Sequence, residues 1–317
     1  MNQKTTNVDV GFTSNPWKEE TLSYPTACRL FYPLNDHCYV SKDASGALIF
    51  FVTTNGEFRF ELSKKYHGFS LELIVNEDNK THLVCKLSDI DLQDKFSILA
   101  KSVAKDTCEL DGQVLLEKAI DVINSWSSFF KPDKKGLTKE EHIGIWGELY
   151  FLLFQLMPIL DDQEKAVEYW IGPTSKTENR AKQDFTLDHY AFELKTTLAG
   201  GSKDIKISSK DQLDKITPEL YLVNLFANET NSDEGISLEE INALILKKLT
   251  PNTEIDYIKK SHYFMDKAND KQKKEKFLYT GSTIYCVEEN FPRLDNTNIP
   301  SGIIDVKYII SAASIRS

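Results

Sequence analysis

The stretch that most constrains this chain runs from Thr138 to Leu156 and reads TKEEHIGIWGELYFLLFQL. Thr138 with Glu141 three residues later is a capping-box pattern, which predicts a helix start. Beyond it the apolar residues do not keep to one stripe. They cover nearly the whole circumference, and a helix of that kind must be buried. The chain therefore has to supply packing material on several sides of it. Glu148 lies among Ile145, Trp146, Leu149 and Tyr150. A carboxylate there is costly unless it is paired, locally hydrogen-bonded or bound to a metal. Gly144 and Gly147 lower helix propensity but permit close backbone approach.

The flanking sequence supplies that material. Upstream, Val114–Phe130 carries Leu115, Ala119, Val122, Ile123 and Trp126 at helical spacing. A charged connector, Lys131–Gly136, follows it. Downstream, Val167–Ile171, Lys182–Leu187, Tyr190–Thr197, Asp204–Ser208 and Leu220–Ala227 read as strands. Ser237–Leu249 reads as a helix, Asp266–Lys276 as an exposed Lys-rich run, and Gly302–Ile310 as a terminal strand. Strands bracketed by helices indicate an α/β layer. The N-terminal part differs. Ala47–Thr53, Glu57–Leu62, Phe69–Val75 and Thr81–Leu87 are strand-like runs separated by turn signals, and Asn55-Gly56 predicts a hairpin. The reading is a small β-rich domain over residues 1–111 and an α/β (α+β) domain over residues 112–317.

The 317 residues carry 48 acidic and 38 basic side chains, a net charge of −10. Such an average surface repels a polyanion, so nucleic-acid binding would need a local basic groove, a divalent metal or a partner. The five cysteines are scattered, with no metal-site spacing, which suits a reduced, cytoplasmic setting. No segment reads as a signal peptide, and none approaches ~20 apolar residues, so no membrane span is expected.

Candidate chemistry lies at residues 183–197, QDFTLDHYAFELKTT. Two strands joined near Asp188-His189 would place Asp184, Glu193 and Lys195 on one side, with Phe192 and Leu194 beneath. Adjacent carboxylates repel, and a bound Mg²⁺ relieves that penalty. Such an ion can polarise a phosphodiester and acidify water, while a lysine stabilises developing negative charge. The acid–x–Lys triplet alone is weak, because it occurs five times in this chain. Asp295, Asp305 and Lys307 form a rival set, and a surface salt-bridge cluster would use the same residue types. His142 and His189 stand alone and are expected in surface or turn roles. Trp126, Trp146 and Trp170 are expected as core anchors.

Taken together, GIWGELYFL, the W-x-G-P of Trp170 to Pro173, QDF, FELKTT and ISSKDQLD resemble the PD-(D/E)XK nuclease superfamily. More narrowly, they resemble the PD-(D/E)XK family catalogued as a domain of unknown function, DUF4420. ENFPRLDNTNIPSGIIDVKYII also fits its C-terminal part. The resemblance implies a restriction-endonuclease-like core, a mixed sheet flanked by helices, preceded by the β-rich region. It implies a Mg²⁺-dependent DNA endonuclease, with Mn²⁺ able to substitute, in a bacterial restriction or phage-defence setting. Homodimerisation, or partners such as a methyltransferase or an ATPase, would complete such a system. Carried over residue by residue, Asp184, Glu193 and Lys195 match the metal-binding and catalytic motif. Glu148 matches an accessory helix-borne metal ligand, and Ser208 and Gln212 match a polar pair near the lysine. Gln183 stands where the superfamily name places Pro. Asp295, Asp305 and Lys307 become a structural C-terminal segment. Lys203, Lys206 and Lys210 are the expected contacts to the DNA backbone. A non-catalytic DNA-binding or scaffold subunit of the same fold is the alternative, and an RNA or single-strand nuclease a third.

Overall fold

The computed structural model describes residues 5–6, 16–17, 27–29, 35–56, 58, 62–130, 136–173, 183–201, 204–294, 298–303 and 306–315. The chain divides into two compact units, Met1–Pro132 and Asp133–Ser317.

The first unit is built on a seven-stranded sheet. Its strands are β1 (Thr5–Thr6), β2 (Ala27–Arg29), β3 (Cys38–Lys42), β4 (Leu48–Asn55), β5 (Ser63–Lys65), β6 (Phe69–Val75) and β7 (Lys80–Leu87). They lie in the order β1-β2-β3-β4-β7-β6-β5. Asn55-Gly56 closes no hairpin among the described residues. Asn55 pairs with Lys80 of β7, and most of the 57–62 run lies outside those residues.

Helix α1 (Gln93–Asp106) went unread in the sequence, although Phe96, Leu99, Ala100 and Val103 have helical spacing and are buried. Helix α2 (Gly112–Trp126) keeps the five expected apolar positions buried and continues as a 3-10 turn over Ser127–Phe130. It belongs to the first unit, so the division falls later than the expected 111/112 boundary. The reason is side-chain bonding. The Trp126 indole donates to Ser102 Oγ at 3.0 Å, and Thr54 Oγ1 donates to the N-cap residue Asp111 at 2.7 Å.

In the second unit, α3 (Lys139–Phe151) starts at the expected capping box of Thr138 and Glu141. It runs on through a π turn, Leu152–Leu156, into α4 (Met157–Leu160). The resulting 22-residue run, Lys139–Leu160, has a mean hydropathy of 1.6 in its most apolar window. By length and composition alone this run is long and apolar enough to cross a membrane, a length that the sequence reading did not count, and a buried core helix meets the same description. The helix outruns Leu156 by way of the π turn, after which Pro158 stands within the first two positions of α4. Within this fold, 61% of that window is buried.

Helix α5 (Gln163–Tyr169) occupies the place of the strand expected at Val167–Ile171. Asp162 caps it, and Ala166 and Val167 face the core. Strands β8 (Phe185–Thr186), β9 (Tyr190–Leu198), β11 (Glu219–Thr230), β12 (Ile236–Ser237) and β13 (Lys276–Cys286) form a sheet ordered β12-β13-β11-β9-β8, with β10 (Ile205–Ile207) preceding β11 in the chain. The β9–β11 pair is parallel and the others are antiparallel, so the sheet is mixed. β10 pairs separately with β14 (Tyr308–Ile310), a shorter strand than the 302–310 expectation. Helices α6 (Leu238–Lys248), α7 (Pro251–Lys267) and α8 (Asp270–Lys274) complete the unit. Of these, α7 and β13 were not read from the sequence. The Lys-rich run forms α8, capped by Asn269.

The sheet separates two apolar layers. On one face α3 packs against the even positions of β9: Phe151 meets Phe192, and Gly147 lies against Thr196 and Leu225. On the other face Ala191, Leu220 and Leu222 pack with Ile205, Ile207, Leu213 and Ile310. Of the two helix glycines, only Gly147 makes a close approach; a Cβ on Gly144 would meet open space.

Candidate active site

β8 and β9 are joined at Asp188-His189, as the sequence predicts, with Leu187 N–H donating to Tyr190 O at 2.7 Å. Phe185 pairs with Phe192, which brings Asp184 across from the start of the FELK segment. Asp184 Oδ2 accepts from the Leu194 N–H at 2.7 Å. Asp184 and Glu193 are 2% and 1% exposed. Lys195 Nζ donates to Glu193 Oε1 at 2.8 Å and to Gln212 Oε1 at 3.2 Å. The Glu193–Lys195 pair is therefore a largely desolvated ion pair, where charge-assisted bonds are strong.

Gln212 sits on a 3-10 turn, Lys210–Leu213, whose N-cap is Ser209. Its Oε1 also accepts the backbone N–H of Ser208 at 2.8 Å, so the Ser208 main chain rather than its hydroxyl joins the network. One amide oxygen thus ties the lysine to the loop after β10. The next rung along the strands is polar too: Thr197 Oγ1 donates to the buried Asn224 at 3.0 Å, and Asn224 is paired in register with Lys195.

Gln183 was noted in the sequence only as a departure from Pro. It is fully buried, and its Nε2 points at the Asp211, Gln212 and Asp214 carbonyls at 3.4, 3.1 and 2.8 Å. The side chain before Asp184 therefore fixes the turn that presents Gln212 to Lys195. A proline could not do this. The signal lay in the QDF tripeptide, but the loop it grips is about thirty residues away.

Glu148 is buried, as expected for its apolar helix, but α3 lies on the face opposite Glu193 and Lys195. Its Oε2 accepts from the Trp170 indole at 2.9 Å. No group of three His, Cys, Asp or Glu side chains that could hold a metal ion forms among the described residues. Asp184 and Glu193 remain a two-carboxylate set, which suits Mg²⁺, an ion commonly held by one or two carboxylates with water and substrate phosphate.

The other expectations divide. Trp126, Trp146 and Trp170 are buried core residues. His189 is exposed at the hairpin turn. His142 is not a surface residue: it is buried, with its ring against Phe277 and Nδ1 3.3 Å from Glu275 Oε2. Burial holds its pKa below the usual histidine value, against the opposing pull of Glu275. Lys206 is exposed on β10 and Lys210 is half-buried beside Gln212's turn. Lys203, Asp295 and Asp305 lie outside the described residues.

Residues 21–313 match the family model described as "Putative PD-(D/E)XK family member, (DUF4420)". The match covers most of the chain, which therefore belongs to that family. The mixed α/β fold agrees with the PD-(D/E)XK class that the family's description names. No curated protein and no solved structure matches the chain.

Proposed function

We propose that this protein is a Mg²⁺-dependent DNA endonuclease, or the nuclease subunit, of a bacterial restriction or phage-defence system, acting in the cytoplasm. The observation that carries the reading is the set of contacts around β9: Glu193 and Gln212 both accept from Lys195, and the Asp184 carboxylate, just ahead of β8, accepts from the Leu194 N–H between Glu193 and Lys195. Asp184 and Glu193 would hold the ion, and Mn²⁺ could substitute. When bound, such an ion polarises a phosphodiester oxygen and lowers the pKa of water. Lys195 has three N–H donors, two of them engaged by Glu193 and Gln212. The third is left for the attacking water or for the charge that develops on phosphate. Gln212 holds the ammonium in place by its other side.

Hydrolysis of both strands with one site per chain calls for two copies or repeated binding, so a homodimer or a larger complex with methyltransferase or ATPase subunits fits the reading. Partners would also offset the net charge of −10. Lys206 and Lys210 are the described lysines best placed in sequence for backbone phosphates. The test is plasmid DNA, methylated and unmethylated, incubated with folded wild-type or Lys195→Ala protein in Mg²⁺, Mn²⁺ or EDTA. Cleavage by wild type alone, abolished by EDTA, is expected. The second reading is a non-catalytic DNA-binding or scaffold subunit, favoured by the net charge of −10, which is poor for autonomous DNA cleavage. Full cellular defence by Lys195→Ala would support it.

A further inference from the structure

The W-x-G-P segment has no part in the site so far, yet it touches Asp184 of the site and Glu148 behind it. Trp170 is fully buried, and its ring lies among Tyr257 and Phe264 of α7. Its indole N–H donates to Glu148 Oε2 at 2.9 Å. Trp170 also bridges to Phe185, and the next residue, Ile171, donates its N–H to the Asp184 carbonyl at 2.9 Å. Two consecutive residues thus hold the helix-borne acid by its side chain and the strand acid by its backbone.

What holds this segment is Lys260 of α7. Its Nζ donates to the carbonyls of Val167, Glu168 and Trp170 at 2.7, 3.0 and 2.5 Å. These carbonyls belong to the end of α5, where helix C=O groups lack intrahelical partners and favour a cation. Gly172, at φ +72, lets the chain pass: a Cβ there would stand 2.9 Å from Lys260 Cβ and 3.3 Å from Lys260 O. The motif glycine and the lysine are therefore two halves of one close contact. Lys260 faces Asp256 on its own helix and Glu168 on α5. Both favour its charged form, while burial outweighs them and draws its pKa down to about 8.

We propose that Lys260 is a positioning residue for the candidate active site, acting through Trp170 and Ile171 to hold the backbone of Asp184, with Glu148 anchoring the Trp170 indole from the far side of the sheet. This rests on the nuclease reading for its purpose, but the clasp itself can be read without metal or DNA. Protein labelled with ¹⁵N at tryptophan gives an indole resonance for Trp170, assigned with Trp170→Phe. Lys260→Met, compared with wild type at pH 7, is expected to move that resonance and to leave those of Trp17, Trp126 and Trp146 in place. Mn²⁺ affinity by calorimetry should fall about 10-fold, at the low end of losses seen when a group orienting a metal ligand is removed. Gly172→Ala should move the same resonance by pushing on Lys260. If Lys260→Met does not fold, Lys260→Gln, which keeps two N–H donors, serves the same comparison. An unchanged Trp170 resonance in a folded Lys260 variant overturns the proposal, as does an unchanged affinity in a variant that binds Mn²⁺ like wild type. Failure of wild type to bind Mn²⁺ would sink the nuclease reading instead, and the indole resonance alone then decides whether the clasp exists.

Discussion

Replacing Gly147 with Ala adds one methyl group between α3 and β9. That carbon would lie 1.9 Å from Thr196 Oγ1, 3.1 Å from Thr196 Cβ and 3.4 Å from Leu225 Cδ1. Favourable contact needs about 3.5 Å, so the helix or the hydroxyl must move by more than about 1 Å. Overpacking of this kind costs about 1–3 kcal/mol, while Gly to Ala in a helix returns about 1 kcal/mol. A net loss of about 0–2 kcal/mol is expected. The clash is mostly with one oxygen, and that oxygen is buried without a hydrogen-bond partner. Thr196→Ala should therefore cost little by itself and should rescue Gly147→Ala. The double variant should be at least as stable as Thr196→Ala alone. Urea denaturation of the four proteins gives the coupling energy, expected at about 1–3 kcal/mol, the overpacking cost that Thr196→Ala removes. Additive effects would refute the contact between α3 and the back of the FELK strand.

Three further outcomes follow from the site. Gln183→Leu removes the donor to three carbonyls and should cost about 1–3 kcal/mol in denaturant titrations. Amide exchange in this variant should rise at residues 211–214 before it rises elsewhere in the sheet. Lys195→Ala leaves Glu193 buried beside no ammonium, so stability near pH 7 should drop by about 3 kcal/mol. For His142, whose pKa burial depresses, the unfolded chain binds a proton that the native state refuses in the window below about pH 6.5. Stability should therefore fall as pH drops through that window, and His142→Phe should flatten this part of the profile.

Much of the fold was legible where local pattern and tertiary demand agree. The capping box at Thr138 and Glu141, the apolar α3, and β6, β9 and β11 were read close to their observed limits because each carries its own periodicity. Val167–Ile171 misled because a β-branched residue sits beside two aromatics, whereas the Asp162 cap and the buried Ala166 and Val167 make it a helix. α1 was overlooked in a region already read as strands. α7 was overlooked because its many charges hide the stripe of Ile255, Tyr257, His262 and Phe264.

The sequence by itself determined that α3 is buried and that Asp184, Glu193 and Lys195 lie at one hairpin, while Gln212 came in through the family resemblance. Each of these depends on neighbours within a few residues or on one short loop. Only the tertiary structure decided that Glu148 bonds to Trp170 from the far side of the sheet, and that Gln183 grips the Gln212 turn. It also decided that Lys260 closes on a helix end 90 residues upstream. Those contacts join elements whose local patterns carry no record of each other. They exist because buried carbonyls and carboxylates, once packed, must find donors from whatever part of the chain lies beside them.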